Sequence, residues 1–99
     1  MKDFNISAEE LDDYVGRQDV IIVDVRSPEA YRRKHIEGAV NITMNNIGRI
    51  NDKGKLYVLY CDRGGNSISA AMLLARRGFA VKSVVGGINA YRGSALSYD

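Results

Sequence analysis

Three runs of β-branched and aliphatic residues punctuate the chain: ValIleIleValAspVal over 20–25, LeuTyrValLeuTyr over 56–60 and AlaValLysSerValVal over 80–85. The first has almost no polar alternation, which predicts a strand covered on both faces, as in a parallel sheet. AlaValAsnIleThr (39–43) predicts a shorter strand. Helical signals fall between these runs. Ser7 and Glu10 form a capping box, Leu11, Tyr14 and Val15 follow at helical spacing, and Gly16 suits a left-handed stop. Ser27 and Pro28 read as the N-cap and first position of a helix running to about Lys34. From Ser67, the residues Ile68, Ala71, Met72 and Ala75 mark one apolar helical face, widened by Leu73 and Leu74. Arg76, Arg77 and Gly78 close that helix. Residues 44–54 read as a polar loop with one helical turn, and a last helix is expected near Ile88–Leu96. The alternation predicts one α/β domain over residues 1–99 with a mainly parallel sheet.

In such sheets ligands sit beyond the carboxyl ends of the strands. Asp24 to Arg26, Cys61 to Asn66 and Gly86 to Gly87 all leave strands at that edge. Cys61 is the sole cysteine. It ends the 56–60 strand beneath a loop, AspArgGlyGlyAsn (62–66), that opens a helix. Backbone N–H groups and the positive end of a helix can hold an anion there and favour the thiolate nucleophile. Gly64 and Gly65, without Cβ atoms, would let those N–H groups converge on the sulfur, with a positive φ expected at Gly65. Arg63 suits an anionic substrate. Ser67 is expected to cap the helix and to reach the sulfur; Asn66 is the alternative cap, or an amide for a substrate oxygen. Asp62 puts a negative charge beside the thiol, but its side chain can turn to solvent, so a depressed thiol pKa is still expected. Asp24 and Arg26 read as a structural ion pair. His35 reads as structural, since a base must lie within hydrogen-bond reach of its target. Gly86 and Gly87 would allow close approach to the cysteine loop.

Composition narrows the partners. The net charge of +2 is too small to argue for nucleic acid, and Arg32, Arg33, Lys34 and His35 read as a solvated helix face. No run is apolar enough for a signal peptide or a membrane span, so the cytoplasm is the expected location. One Cys and one His form no internal disulfide and match no closed metal site, and no cofactor is expected.

Three motifs in order resemble the rhodanese family of sulfurtransferases. They are AspValArg (24–26) with Glu29, Tyr31, HisIleGluGlyAla (35–39) and Asn41; CysAspArgGlyGlyAsnSer (61–67); and GlyGlyIleAsnAlaTyr (86–91). The resemblance implies a three-layer sandwich, with a mainly parallel five-stranded sheet and helices on both faces. It also implies a transferase whose catalytic residue, Cys61, takes a sulfane sulfur from an anionic donor such as thiosulfate. The resulting persulfide would pass its sulfur to a thiol, an acceptor protein or cyanide. In the family Asn66 is often Arg, the position of Lys34 often Gly, and that of Tyr91 often Trp. Two other functions compete with this one. A phosphatase or arsenate-type enzyme of similar fold would need an arginine where Ser67 stands, to clamp a dianionic phosphoryl group. A non-catalytic binding or regulatory module would typically lack the cysteine that this chain keeps.

Overall fold

The 20–25 and 56–60 runs lie side by side at the centre of the sheet because neither has a polar face to offer to solvent. The computed structural model describes residues 4–98; residues 1–3 and 99, the ends of the expected 1–99 domain, lie outside the described residues. The strands are β1 Asn5–Ile6, β2 Val20–Asp24, β3 His35–Ile36, β4 Val40–Asn41, β5 Leu56–Tyr60, β6 Ala80–Val84 and β7 Leu96–Ser97. The α-helices are α1 Pro28–Arg33 and α2 Gly65–Arg76. Shorter 3-10 turns span Glu9–Asp13, Met44–Arg49 and Ile88–Ala90. Five strands run in the order β1-β6-β5-β2-β4, all pairs parallel. A small antiparallel ribbon pairs β3 with β7.

The sheet separates two apolar layers. On one face Val23, Leu59, Cys61 and Val81 pack under α2 and the 44–49 turn. On the other, Ile22, Val58, Tyr60 and Val84 meet Leu11, Ile36, Ile88 and Tyr91. The fold is therefore the α/β sandwich expected, with helical segments on both faces. Local chemistry explains its boundaries. Ser7 and Glu10 exchange hydrogen bonds reciprocally, and Gly16 takes φ +84°. Ser27 Oγ accepts from the Ala30 N–H, with Pro28 opening α1.

Three expectations are corrected. First, α2 begins at Gly65, before Ser67, and its buried face is Ser67, Ala70, Ala71 and Leu74. Met72 and Leu73 stay 46% and 43% exposed. The face is turned by one residue, about 100°, because Ser67 is held inward by polar partners and small side chains let the helix sit close to the sheet. Second, the helix expected near 88–96 is a single 3-10 turn, and Leu96 joins β7. Tyr91 donates to Asp12 and accepts from the Ala95 N–H, which pins the chain in an open path. Any Cβ at Gly93 would strike the Tyr91 ring end. Third, β1 has no counterpart among the strands expected: two residues carry no periodicity, and β1 exists because it pairs with β6.

Candidate active site around Cys61

β5 delivers Cys61 to the floor of an open cleft of about 600 Å³. Cys61 is 5% exposed. Within three residues the chain turns from strand to helix, and Gly64 makes the turn as the N-cap of α2 at φ +104°. No side chain caps the helix from that position. The sulfur takes over the role: the Gly64 N–H lies 3.0 Å from Cys61 Sγ. Burial pushes the Cys61 pKa up. Hydrogen bonds from the Ser67 N–H and hydroxyl and from the Gly64 and Arg63 N–H groups outweigh it, and the thiol sits below its ordinary value. A helix of twelve residues adds the positive end of its dipole at the same point.

The loop is clamped from below by the segment after β6. The Ile88 N–H donates to the Cys61 carbonyl at 2.9 Å, and the Asn89 N–H to the Asp62 carbonyl at 3.1 Å. Gly87 permits this approach. Its backbone, φ +61° and ψ −159°, lies in a region essentially reserved for glycine. A Cβ there would stand 2.5 Å from the Asp62 carbonyl carbon. Gly86 lies against the other side of the loop, its N 3.1 Å from any Cβ built on Gly64.

One wall of the cleft belongs to Val25–Ser27, the residues that leave β2, and to Ala30 of α1. Register brings it there: Asp24 pairs with Tyr60, so Val25 stands beside Cys61. Asp24 is fully buried and binds Arg26 through both oxygens, at 2.7 Å for the shortest contact. Arg26 also donates to the Lys34 carbonyl, and its third nitrogen reaches Asp62 Oδ1 at 3.5 Å. The Asn41 amide bridges the Asp24 and Arg26 carbonyls. Tyr60 accepts from the Ile36 N–H, and burial, with the Asp24 charge nearby, pushes its phenol far up, so it stays protonated. His35 is not part of the cleft. Its ring stacks on Tyr31 at 3.8 Å, and Nδ1–H donates to the Tyr31 carbonyl.

The structure thus brings Cys61, Asp62, Arg63, Gly65 and Asn66 together around the cleft, with Arg26 and Asn89 as further lining. Gly64 and Ser67 lie beneath it as donors to the sulfur. Two expectations shift. Gly65 does not need a positive φ, and a Cβ there would meet nothing within 4 Å; the demand falls on Gly64. Ser67 is not the N-cap but the third helical residue, its hydroxyl donating to the Gly64 carbonyl. Asn66 is exposed and caps nothing. Ser83 beside Ser67 escapes a reading of the sequence, whereas Arg26 is legible at the carboxyl edge of the sheet and as the partner of Asp24, but not as a cleft wall. Both placements depend on strand neighbours, and the one signal for them is parallel register between the apolar runs.

Against this geometry the comparisons with known proteins are direct. The family model for the rhodanese-like domain matches residues 7–94. The chain is 33% identical over 82 residues to thiosulfate sulfurtransferase GlpE of Coxiella burnetii, covering 79% of this chain and 77% of that one. It is 40% identical over 85 residues to a tRNA sulfurtransferase of Desulfurococcus amylolyticus, where it spans 86% of its own length but 17% of that protein. A rhodanese-like domain protein from Staphylococcus aureus superposes with TM-score 0.84 at 29% identity, covering 100% of this chain and 99% of that one. The chain belongs to the rhodanese-like domain family. Among the described residues, no helix is long and apolar enough to cross a membrane, and no group of three or more His, Cys, Asp or Glu side chains is placed to hold a metal ion.

The loop geometry separates the two adjacent glycines by experiment. Gly64→Ala should destabilise the protein by about 1–2 kcal/mol, the cost of a left-handed backbone with a Cβ. Gly65→Ala should be neutral or stabilising by up to about 1 kcal/mol, as a better helix former at a site with room. Urea unfolding of both variants decides between this and the reverse order. The sulfur should also titrate early. Its alkylation rate by neutral iodoacetamide should rise with pH through a midpoint below the ordinary thiol value of about 8.5, and a midpoint at or above that value contradicts the donor set around Sγ.

Proposed function

We propose that the protein is a sulfurtransferase that carries sulfane sulfur as a persulfide on Cys61. The observation that carries this reading is a cysteine buried at the floor of an open cleft, with amide and hydroxyl donors on its sulfur that favour the anionic form. The thiolate attacks the sulfane sulfur of thiosulfate, the S–S bond of the donor breaks, and sulfite leaves with the bonding pair. The enzyme persulfide then yields its outer sulfur to cyanide or to a thiolate, releasing thiocyanate or a new persulfide and restoring the Cys61 thiolate. The amides that point at Cys61 Sγ suit a negative charge on the sulfur, in the thiolate that attacks and in the thiolate restored when the persulfide is discharged. No step requires a cofactor or a metal, nor a general base, and His35 is engaged elsewhere.

Arg63 and Asp62 set the charge at the cleft mouth. Arg63 is exposed and free to meet an anionic donor, whereas Asp62, 65% exposed, competes with that donor for Arg26. The relatives' names support sulfur transfer in general; thiosulfate as donor, and a thiol, an acceptor protein or cyanide as acceptor, belong to this proposal. The same reading takes no nucleic acid or membrane as partner and assigns the cytoplasm, where a lone catalytic thiol stays reduced. Phosphoryl transfer is disfavoured because Ser67, where the clamp arginine would stand, is buried and turned to Ser83 and Gly64. A purely binding role gives no account of the donors gathered on the sulfur.

Intact mass after thiosulfate treatment should show one added sulfur, removable by cyanide or dithiothreitol and absent in Cys61→Ser. Turnover that persists in Cys61→Ser would refute the assignment. The mouth charges should act with opposite signs. An exposed pairing is worth roughly 0.2–1 kcal/mol, so Asp62→Asn should lower KM for thiosulfate about 1.5- to 5-fold and Arg63→Ala should raise it by a similar factor. Both effects should fade in high salt. Steady-state kinetics at low ionic strength provide the check, and shifts of the same sign would contradict this view of the mouth.

A further inference from the structure

Ser67 Oγ has three polar neighbours: Ser83 Oγ at 2.8 Å, the Gly64 carbonyl at 3.2 Å and Cys61 Sγ at 3.7 Å. Ser67 and Ser83 are 0% and 1% exposed, so neither hydroxyl has water as a substitute. Ser83 stands in β6 opposite Leu59 of β5, two residues before Cys61 and on the same face of the sheet. Among the described residues Ser67 is the single hydrogen-bond partner of the Ser83 hydroxyl. A buried hydroxyl proton with one acceptor in reach is given to that acceptor, since an unmade bond carries the full desolvation penalty. Ser83 therefore donates and Ser67 accepts, which leaves Ser67 with its own proton to place.

Two placements exist, and each suits one state of the sulfur. With a thiol, Cys61 S–H donates to Ser67 Oγ and Ser67 donates to the Gly64 carbonyl, so every group is satisfied. With a thiolate, the sulfur can only accept, and the Ser67 proton turns to it. The Gly64 carbonyl is not orphaned by that turn, because the Ile68 N–H already donates to it at 3.1 Å. One O–H rotation serves both states, and no heavy atom moves. A Ser83 that accepted would instead take the proton the thiolate needs.

We propose that Ser83 is a positioning residue for the nucleophile, donating to Ser67 so that the Ser67 proton is free for the Cys61 sulfur whenever that sulfur is an anion. The donated bond also polarises Ser67 and strengthens the bond it gives onward. This rests on the reading of Cys61 as the nucleophile. The charged groups around the sulfur are Arg26 with Asp24 behind it, and Asp62 and Arg63 of the loop. The 88–90 turn and the buried face of α2 present none, and Lys82 alternates to the other face of β6. Changes at the two serines leave all these charges in place.

The test is a double-mutant cycle on the thiol titration, read by neutral iodoacetamide without any sulfur donor. Ser83→Ala removes one oxygen, keeps the strand's backbone bonds and, by deleting the donated bond that polarises Ser67, should raise the alkylation midpoint by roughly 0.3–0.7 pH unit. Ser67→Ala should raise it more. In the Ser67→Ala background, Ser83→Ala should add nothing. An unchanged midpoint in Ser83→Ala overturns the proposal, and so does an equal shift in both backgrounds, which would mean that Ser83 acts without Ser67. Sulfur loading of the unsubstituted protein, read by intact mass, is separate. Its absence would refute the transfer function, and the titration cycle would still decide the role of Ser83.

Discussion

The sulfur of Cys61 is the cap of α2. Most of the structure around the cleft depends on that one interaction. A helix N-terminus must satisfy orphan N–H groups, and here an atom at the end of the preceding strand satisfies them. To bring amides and sulfur together the chain has to reverse within the 62–64 segment, which requires a left-handed residue at Gly64. The tight loop then exposes the Cys61 and Asp62 carbonyls on its underside, and the 86–89 segment exists in its particular conformation to meet them. Glycine at 87 is the consequence, not an independent motif.

Two opposing effects act on the same atom. Burial disfavours an anionic sulfur, whereas several donors favour it, and the donors win. They win because the amides are fixed by the helix and need no reorganisation when charge appears. The buried Asp24–Arg26 pair has a different role. It would be a weak contributor to net stability by itself, but it fixes the β2 edge, the Lys34 carbonyl and the Asp62 side chain relative to one another. The result is a cleft with one rigid wall and a mouth of mixed charge.

Much of this is legible in the residues. The three apolar runs mark the central strands, Ser27–Pro28 marks α1, and Cys61 before a glycine-rich loop marks the site. The illegible part depends on tertiary partners. Gly64 and Gly65 are adjacent and chemically identical, and nothing local says which one takes φ +104°. The buried face of α2 is misleading in the sequence because Met72 and Leu73 look more apolar than Ser67 and Ala70, while close packing and hydrogen bonding to Ser83 favour the small residues. Leu96 looks helical by spacing, yet Tyr91 and Gly93 pull its segment into the ribbon with His35–Ile36. Ser83, and Arg26 as a wall of the cleft rather than only the partner of Asp24, become visible only once parallel register places their strands beside β5.

The central claim is that the amides opening α2 hold an anionic sulfur. An NMR pH titration of the backbone amides addresses it directly, since an N–H that donates to a titrating atom changes its shift with that atom. The Gly64 and Ser67 amide protons should move downfield together as Cys61 ionises, with one shared midpoint below about 8.5, and Cys61→Ser should abolish the transition. Amides at 64 and 67 that stay flat across the ionisation of Cys61 would contradict the claim.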